Sequence, residues 1–443
     1  MGRQGGRSWV LGALACAAAL GRPAAADEPK SPLEERVERL EADNAALRAL
    51  LEQPKPVAHL SLEDVRLRFS GYLDLGFFAT QGDGVAYVRD PGKLVSPGTG
   101  GTPWVFRGDP WSNPINAQGD SADLGLDRTN LPRYDPIASG GHPSFLVNRA
   151  NLGLKLTVGE HVFSEIGLNF EPRQGRLGSP GDLFEVDLAY LEWIPSRQLD
   201  LHVFAGKVES TFGIEYRSRH APDRPGVTPS LIARYTTGTP TGLKVRGSIG
   251  DGRFVYNVAV TNGSMATERF GHFFDEIDHN DAKTLSGRLA LVLGGDTVKV
   301  ELGASGAFGA QDLQSKSGVH QWQVGGDLRV EAGDLVFRGE YLHAHADGGG
   351  PEVAPSLHAD GFYAEALYQV IPELALLARA DLRNARLFAD PNLYLTNTLR
   401  ATGGLRLDLS FHLVAKLEYL HVVELDGPEI PDDVFTSSLV VRF

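Results

Sequence analysis

From Val65 to Phe443 the chain repeats one pattern, apolar and polar residues in alternation with a period of two, across sixteen separate segments. In the first, Val65, Leu67, Phe69, Leu73, Leu75 and Phe77 share one face, and Arg66, Arg68, Ser70, Tyr72 and Asp74 the other. Segment 150–158 sets Ala150, Leu152, Leu154, Leu156 and Val158 against Asn151, Lys155 and Thr157. Segment 162–170 sets Val162, Ile166, Leu168 and Phe170 against Glu165 and Asn169. Period two is the repeat of an extended strand, whose successive side chains point to opposite faces. The remaining strands are predicted at 183–193, 199–208, 242–249, 254–262, 287–293, 298–308, 322–330, 335–343, 362–370, 374–380, 405–409, 413–419 and 435–443.

The connections between these strands alternate in length. One set is tight, as at Gly159-Glu160, Gly250-Asp251-Gly252 and Ala332-Gly333-Asp334, whereas residues 81–144 and 209–240 are long. Short turns on one rim and long loops on the other are the habit of transmembrane barrels. Past residue 26 no run of 18 apolar residues exists, so helices cannot carry this chain across a bilayer. A closed barrel is then the only spanning structure that satisfies its own backbone. The fold class expected is all-β, a 16-stranded antiparallel transmembrane β-barrel over 65–443. A soluble β-sandwich is the competing arrangement, and its strands do not keep charges opposite uninterrupted aliphatic faces through so many hairpins.

Both ends agree with export. Arg3 and Arg7 precede an apolar stretch from Trp9 to Leu20, and Ala24, Ala25 and Ala26 form a small-residue cleavage site, so 1–26 reads as a signal peptide. The only cysteine, Cys16, falls inside it, which leaves the mature chain to be held by hydrogen-bonded ladders and burial rather than disulfides. At the other end Phe435, Leu439, Val441 and Phe443 face one way and Thr436, Ser438 and Arg442 the other. A terminal aromatic on such a strand resembles the assembly signal of bacterial outer-membrane barrels. That resemblance implies location in the cell outer membrane, with Phe443, Val441 and Leu439 read by the barrel assembly machinery.

Residues 31–53 follow a different period. Ser31, Pro32 and Glu34 read as helix cap, first-turn proline and capping-box acid. Leu33, Val37, Leu40, Asn44, Leu47 and Leu51 then recur at alternating spacings of four and three, the seam of a short N-terminal coiled-coil helix, with Asn44 fixing register. Arg36 with Glu41 and Asp43 with Arg48 supply flanking charge pairs for a parallel assembly. Residues 54–64, containing Pro54 and Pro56, form a linker to the barrel.

No nucleophile elbow, zincin motif, Walker loop or cysteine metal set is present, so neither an enzyme nor a cofactor is expected. His343 and His345 would share one face of a strand, but without a visible third ligand they read as rim residues, and no metal is assigned. The acidic group Asp275, Glu276, Asp278 and Asp281 reads as a solvated loop. Removal of the leader with Arg3, Arg7 and Arg22 takes the net charge from −14 to −17, against nucleic-acid binding. Within that acidic chain, residues 216–246 hold six bases, Arg217, Arg219, Arg224, Arg234, Lys244 and Arg246, against the single acid Asp223. Most of this segment is the third long loop. If it lines a constriction, its guanidinium forks would select for anions. Strand bases, including Arg149 and Lys207, also face the predicted lumen, but interleaved acids such as Glu165 and Glu192 suggest a mutually neutralised wall.

Three stretches carry a family resemblance: Val-Asn-Arg-Ala-Asn-Leu-Gly-Leu-Lys at 147–155, Ala-Tyr-Leu-Glu-Trp at 189–193, and Ala-Gly-Lys-Val-Glu-Ser-Thr-Phe-Gly-Ile-Glu at 205–215. From about residue 145 onward the chain resembles the phosphate-selective porin O and P family. That resemblance implies a homotrimeric porin with a basic constriction, surrounded by outer-membrane lipid and lipopolysaccharide and passing small inorganic or organic anions. The chain departs from the family in its long first loop (82–144), its coiled coil and its many interleaved acids. A carbohydrate or general-diffusion porin, or a structural barrel tethered through the coiled coil, remain the alternatives.

Overall fold

The computed structural model describes residues 61–62, 65–80, 123–126, 132–135, 143–170, 184–196, 198–263, 281–295, 297–310, 320–347, 356–389, 392–425 and 433–443. The leader 1–26, the coiled coil 31–53, nearly all of the linker 54–64, most of loop 82–144, and Asp275, Glu276 and Asp278 lie outside the described residues. One antiparallel sheet dominates and closes on itself. Its barrel strands are β1 (Val65–Thr80), β2 (Ser144–Val158), β3 (Val162–Phe170), β4 (Phe184–Ser196), β5 (Leu201–Lys207), β6 (Thr241–Ile249), β7 (Phe254–Thr261) and β8 (Thr284–Gly294). They continue as β9 (Val298–Ala310), β10 (His320–Ala332), β11 (Leu335–Ala346), β12 (Ser356–Ile371), β13 (Leu374–Ala389), β14 (Asn392–Ser410), β15 (Leu413–Glu424) and β16 (Val434–Arg442). Each strand pairs with the next, and β16 returns to β1, with Val434 opposite Thr80 and Arg442 opposite Tyr72. Ser61–Leu62 adds a two-residue strand that folds back on Val65 and Arg66. Asp123–Leu126 and Pro132–Asp135 form a two-stranded sheet of their own.

Closure sorts the side chains. In β1, Tyr72, Asp74 and Phe78 are buried toward the lumen, while Phe69, Leu73 and Leu75 stand exposed on the outside. The whole barrel follows this inversion: Leu243, Leu289, Leu302, Phe308 and Phe435 are exposed, whereas Arg288, Asp327, Glu340, Arg379, Asp381, Arg400 and Lys416 are buried. An apolar exterior around a charged interior is stable only with hydrocarbon outside. The sandwich alternative is thereby excluded, because both of its outer faces would have to be wet.

All sixteen predicted segments are strands, but several run further than their alternation suggests. The segment predicted at 405–409 spans Asn392–Ser410, and the one predicted at 362–370 spans Ser356–Ile371. At the loop end the exterior leaves the apolar band, so outward positions turn polar, as at His358 and Asp360, and the apolar-out rule fails there. A bulge between Asp74 and Leu75, opposite Arg149 and Val147, adds Asn148, which is buried and donates to Asp74 Oδ1 at 3.0 Å. The C-terminal residue closes the seam: Phe443 N–H donates to Gly71 O at 3.0 Å, and Gly71 N–H to Phe443 O at 3.2 Å.

Candidate functional site

Between β5 and β6 the chain turns into the barrel, and residues 208–240 are almost entirely buried. Pro222, Pro225, Pro229 and Pro240 together with Gly213, Gly226 and Gly238 prevent this segment from continuing as strand or as long helix. It forms only two short helical turns, Glu215–Ser218 and Ala233–Thr236.

An apolar seat receives one side of the loop. Phe212, Ile232 and Tyr235 pack against Leu342, Ala344, Ala346, Leu357, Ala359 and Ala385 of β11, β12 and β13. These wall positions face inward yet are apolar and mostly small, so they leave room for the loop and bury its rings.

Elsewhere the loop's backbone is held by charged wall side chains. Glu340 Oε1 accepts the Ile214 N–H at 2.9 Å, the Glu215 N–H at 2.5 Å and the Tyr363 hydroxyl at 3.0 Å. The preceding Gly213 has φ +65°, and a Cβ there would strike the Glu340 carboxylate. Glu418 Oε2 accepts both the amide and the hydroxyl of Thr228, at 2.9 and 2.8 Å. Lys416 Nζ donates to the carbonyls of Ala221, Arg224 (2.8 Å) and Gly226 (3.1 Å). Arg406 donates to Arg224 O and Pro222 O, Arg379 to Thr228 O and Arg400 to Pro229 O. The bonds from Lys416, Arg406, Arg379 and Arg400 are charge-assisted and satisfy loop carbonyls, with Arg224 O served by both Arg406 and Lys416.

The predicted anion-site residues separate into those spent on this anchoring and those left facing the lumen. Arg219 is nearly buried and makes a bidentate pair with Asp187 at 2.5 and 2.9 Å. Arg224 is buried, and burial lowers its pKa despite Asp74 and Tyr72 nearby. His220 lies between the Tyr72 hydroxyl (3.4 Å) and Asp187 (3.6 Å). Burial, and then the charge of Arg219, push His220 down to about 3, so its ring is neutral at ordinary pH. Arg149 and Lys207 are both engaged with neighbours, Lys207 in a buried position. The side chain of Arg234 lies outside the described residues.

The remaining predicted bases lie on or against the wall from β2 to β9. Here Arg217 pairs with Glu301 through two hydrogen bonds of 3.2 and 3.0 Å. Lys244 donates to Glu209 O at 3.0 Å and stands 5.6 Å over the Phe204 ring and 5.5 Å over the Tyr216 ring. Arg246 stands 5.2 Å over Phe204 and 3.9 Å from Glu192. Exposure decides what a solute meets. Side-chain exposure is 49% for Lys155 against 21% for its partner Glu165, 37% for Arg217 against 11% for Glu301, and 48% for Arg246 against 14% for Glu192. The order reverses for Arg406 and Asp408, 14% against 33%, where the arginine is taken up by the loop.

Two features of this site were out of reach of the sequence. The small inward residues of β11 to β13 are visible only as a reversal of alternation, Leu342-His343-Ala344-His345-Ala346, in which the histidines face out. The exposure of Lys155, greater than that of its cross-strand partner Glu165, depends on side-chain packing that the register set by the tight turn at Gly159-Glu160 does not by itself reveal.

No family model matches the chain, and no curated protein matches it. Solved structures do. The outer-membrane channel DcaP of Acinetobacter baumannii aligns with a TM-score of 0.54 at 12% identity, over 87% of this chain and 100% of that one. Salmonella typhi OmpF, in complex with daunomycin, aligns at 0.51 and 10% identity over 87% of this chain and 100% of that one. In-vitro folded OmpT, an outer-membrane protein of Vibrio cholerae, gives the same TM-score of 0.51 at 10% identity, over 87% and 100% of the two chains. The chain thus has the fold of outer-membrane porins.

Proposed function

We propose that this protein is an outer-membrane porin, a passive diffusion channel for small hydrophilic solutes with a moderate preference for anions, phosphate among them. The observation that carries the preference is the asymmetry of three ion pairs, in which Lys155, Arg217 and Arg246 are more exposed than Glu165, Glu301 and Glu192. A low-dielectric constriction strengthens the pull of such cations on a passing anion. The fold shared with porins and the loop lodged in the lumen support the channel reading. A homotrimer in lipid and lipopolysaccharide, inserted by the barrel assembly machinery, is the assembly that goes with it.

The test is planar-bilayer recording of the purified full-length chain. The parent should show open channels and a zero-current potential displaced toward the anion in a salt gradient. Replacing Lys155, Arg217 and Arg246 together with serine should move that potential toward cation preference at 0.1 M salt, where the Debye length is about 10 Å. At 1 M salt, where it is about 3 Å, the difference should shrink. A closed membrane would sink the channel reading. A reversal potential unchanged at low salt would remove the anion preference and leave a general-diffusion pore.

A further inference from the structure

Outside the barrel, at the end carrying the long connections, β11 and β12 bring four polar side chains into a two-by-two array. Register places His345 opposite His358 and His343 opposite Asp360. The rings of His345 and His358 meet with centroids 4.2 Å apart and their Nδ1 atoms 3.1 Å apart. On the far side of His345, Nε2 lies 2.8 Å from Asp347 Oδ1. An ionised carboxylate only accepts, so Nε2 carries the ring proton and the neutral imidazole leaves Nδ1 with a bare lone pair turned toward His358. A metal-binding histidine is oriented in this way, one nitrogen fixed by a carboxylate and the other open.

We propose that His345 and His358 form a surface site for a divalent transition-metal ion of the Zn(II), Ni(II) or Cu(II) class, with Asp347 as the positioning residue. A metal–nitrogen distance of about 2.0–2.1 Å and the 3.1 Å between the two Nδ1 atoms set an N–metal–N angle near 100°, within reach of both tetrahedral and square arrangements. No three such donors already converge among the described residues, so water completes the coordination. Asp360 now holds His343 Nδ1 at 2.6 Å. Arg386, opposite His358 in the register, opposes a cation, and Asp347 and Asp360 offset it. The ion takes the place of the proton that His358 Nδ1 otherwise donates to His345 Nδ1; that proton moves to His358 Nε2, so both rings ligate as neutral imidazoles and no group changes charge.

A reporter sits beside the site. Trp322 lies 5.3 Å from the His343 ring and 5.8 Å from the His345 ring, close enough for bound Cu(II) or Ni(II) to quench its fluorescence. The experiment titrates the full-length protein in detergent with copper or nickel chloride, and with zinc chloride by calorimetry. Saturable quenching is expected, with affinity reduced more than about tenfold in H345A and in H358A. D347N should weaken binding by about tenfold, the usual cost of losing an orienting carboxylate. W322F should lose most of the quench yet keep zinc binding, and heat-modifiable migration confirms that each variant is folded. Quenching that survives the H345A/H358A double variant, or zinc calorimetry flat to millimolar concentration, would overturn the assignment.

Discussion

Lys416 offers the most direct test of how the inward loop is held. Its ammonium is fully buried and donates to three loop carbonyls, those of Ala221, Arg224 and Gly226. Replacement by methionine keeps the stem and removes all three bonds. Arg406 still serves the Arg224 carbonyl, so two acceptors, Ala221 O and Gly226 O, lose the donor that holds them. Leaving a buried acceptor unmade costs about 1–3 kcal/mol each. Relief from burying the ammonium itself, and water entering from the lumen, offset part of this. A net loss of about 2 kcal/mol follows, or roughly a 30-fold rise in the local opening equilibrium at about 1.4 kcal/mol per tenfold. Hydrogen exchange of amides in 221–228 reads that opening, and single-channel records should show added noise and brief closures. The sheet should not notice, because Lys416 contributes only its backbone to the ladder with Ser438 and Arg406. Exchange within about threefold of the parent, with a quiet open channel, would mean that the ammonium does not seat the loop and that the apolar seat under Phe212 and Tyr235 is sufficient.

Acid should loosen the same loop: a released loop takes up a proton on His220 that the packed loop refuses until pH falls to about 3, so packing weakens steadily as pH drops below 6.5. H220N should reduce the pH dependence of loop exchange by about one proton across that window, and an unaltered slope would contradict it. Deleting Phe443 removes both backbone bonds that join it to Gly71, and the yield of heat-modifiable folded barrel should fall; unchanged yield would count against a role in closing the seam. Removing residues 27–56 should weaken the oligomer in crosslinking while conductance per barrel is preserved. N44L should strengthen association but broaden its stoichiometry, since a seam asparagine opposes alternative registers.

The barrel was legible because period two and the alternation of connection length are both local, and each of the sixteen strands carries its own copy. What the sequence does not carry is pairing across the lumen. Arg217 and Arg219 look alike in a basic stretch, yet Arg219 is locked to Asp187 while Arg217, bound to Glu301, keeps a third of its surface in the lumen. Those partners lie 32 residues upstream and 84 downstream, and closure alone brings them to the loop. His358 escaped for the same reason: the residue opposite His345 is set by the register of β11 on β12 across a long connection. Reversed alternation in β11 was the one local sign that the loop docks there.

Net charge and the charge a solute meets are separate quantities in such a barrel, and stem length connects them. A carboxylate on the short stem of Asp or Glu stays against the wall, whereas Lys and Arg carry their charge several methylenes further and keep the head in water. Pairing one of each cancels the charge but leaves the base the more exposed of the two. Lys155 with Glu165, joined at 3.1 Å, is the simplest case, because its acid is also tied back by Tyr190 at 2.8 Å. Where the inward loop fills the lumen the argument reverses, since the long stems of Arg406 and Lys416 are drawn onto backbone carbonyls and their charge no longer reaches water. A chain of net charge −14 can therefore present more exposed base than exposed acid at each of the three pairs, Lys155 with Glu165, Arg217 with Glu301 and Arg246 with Glu192.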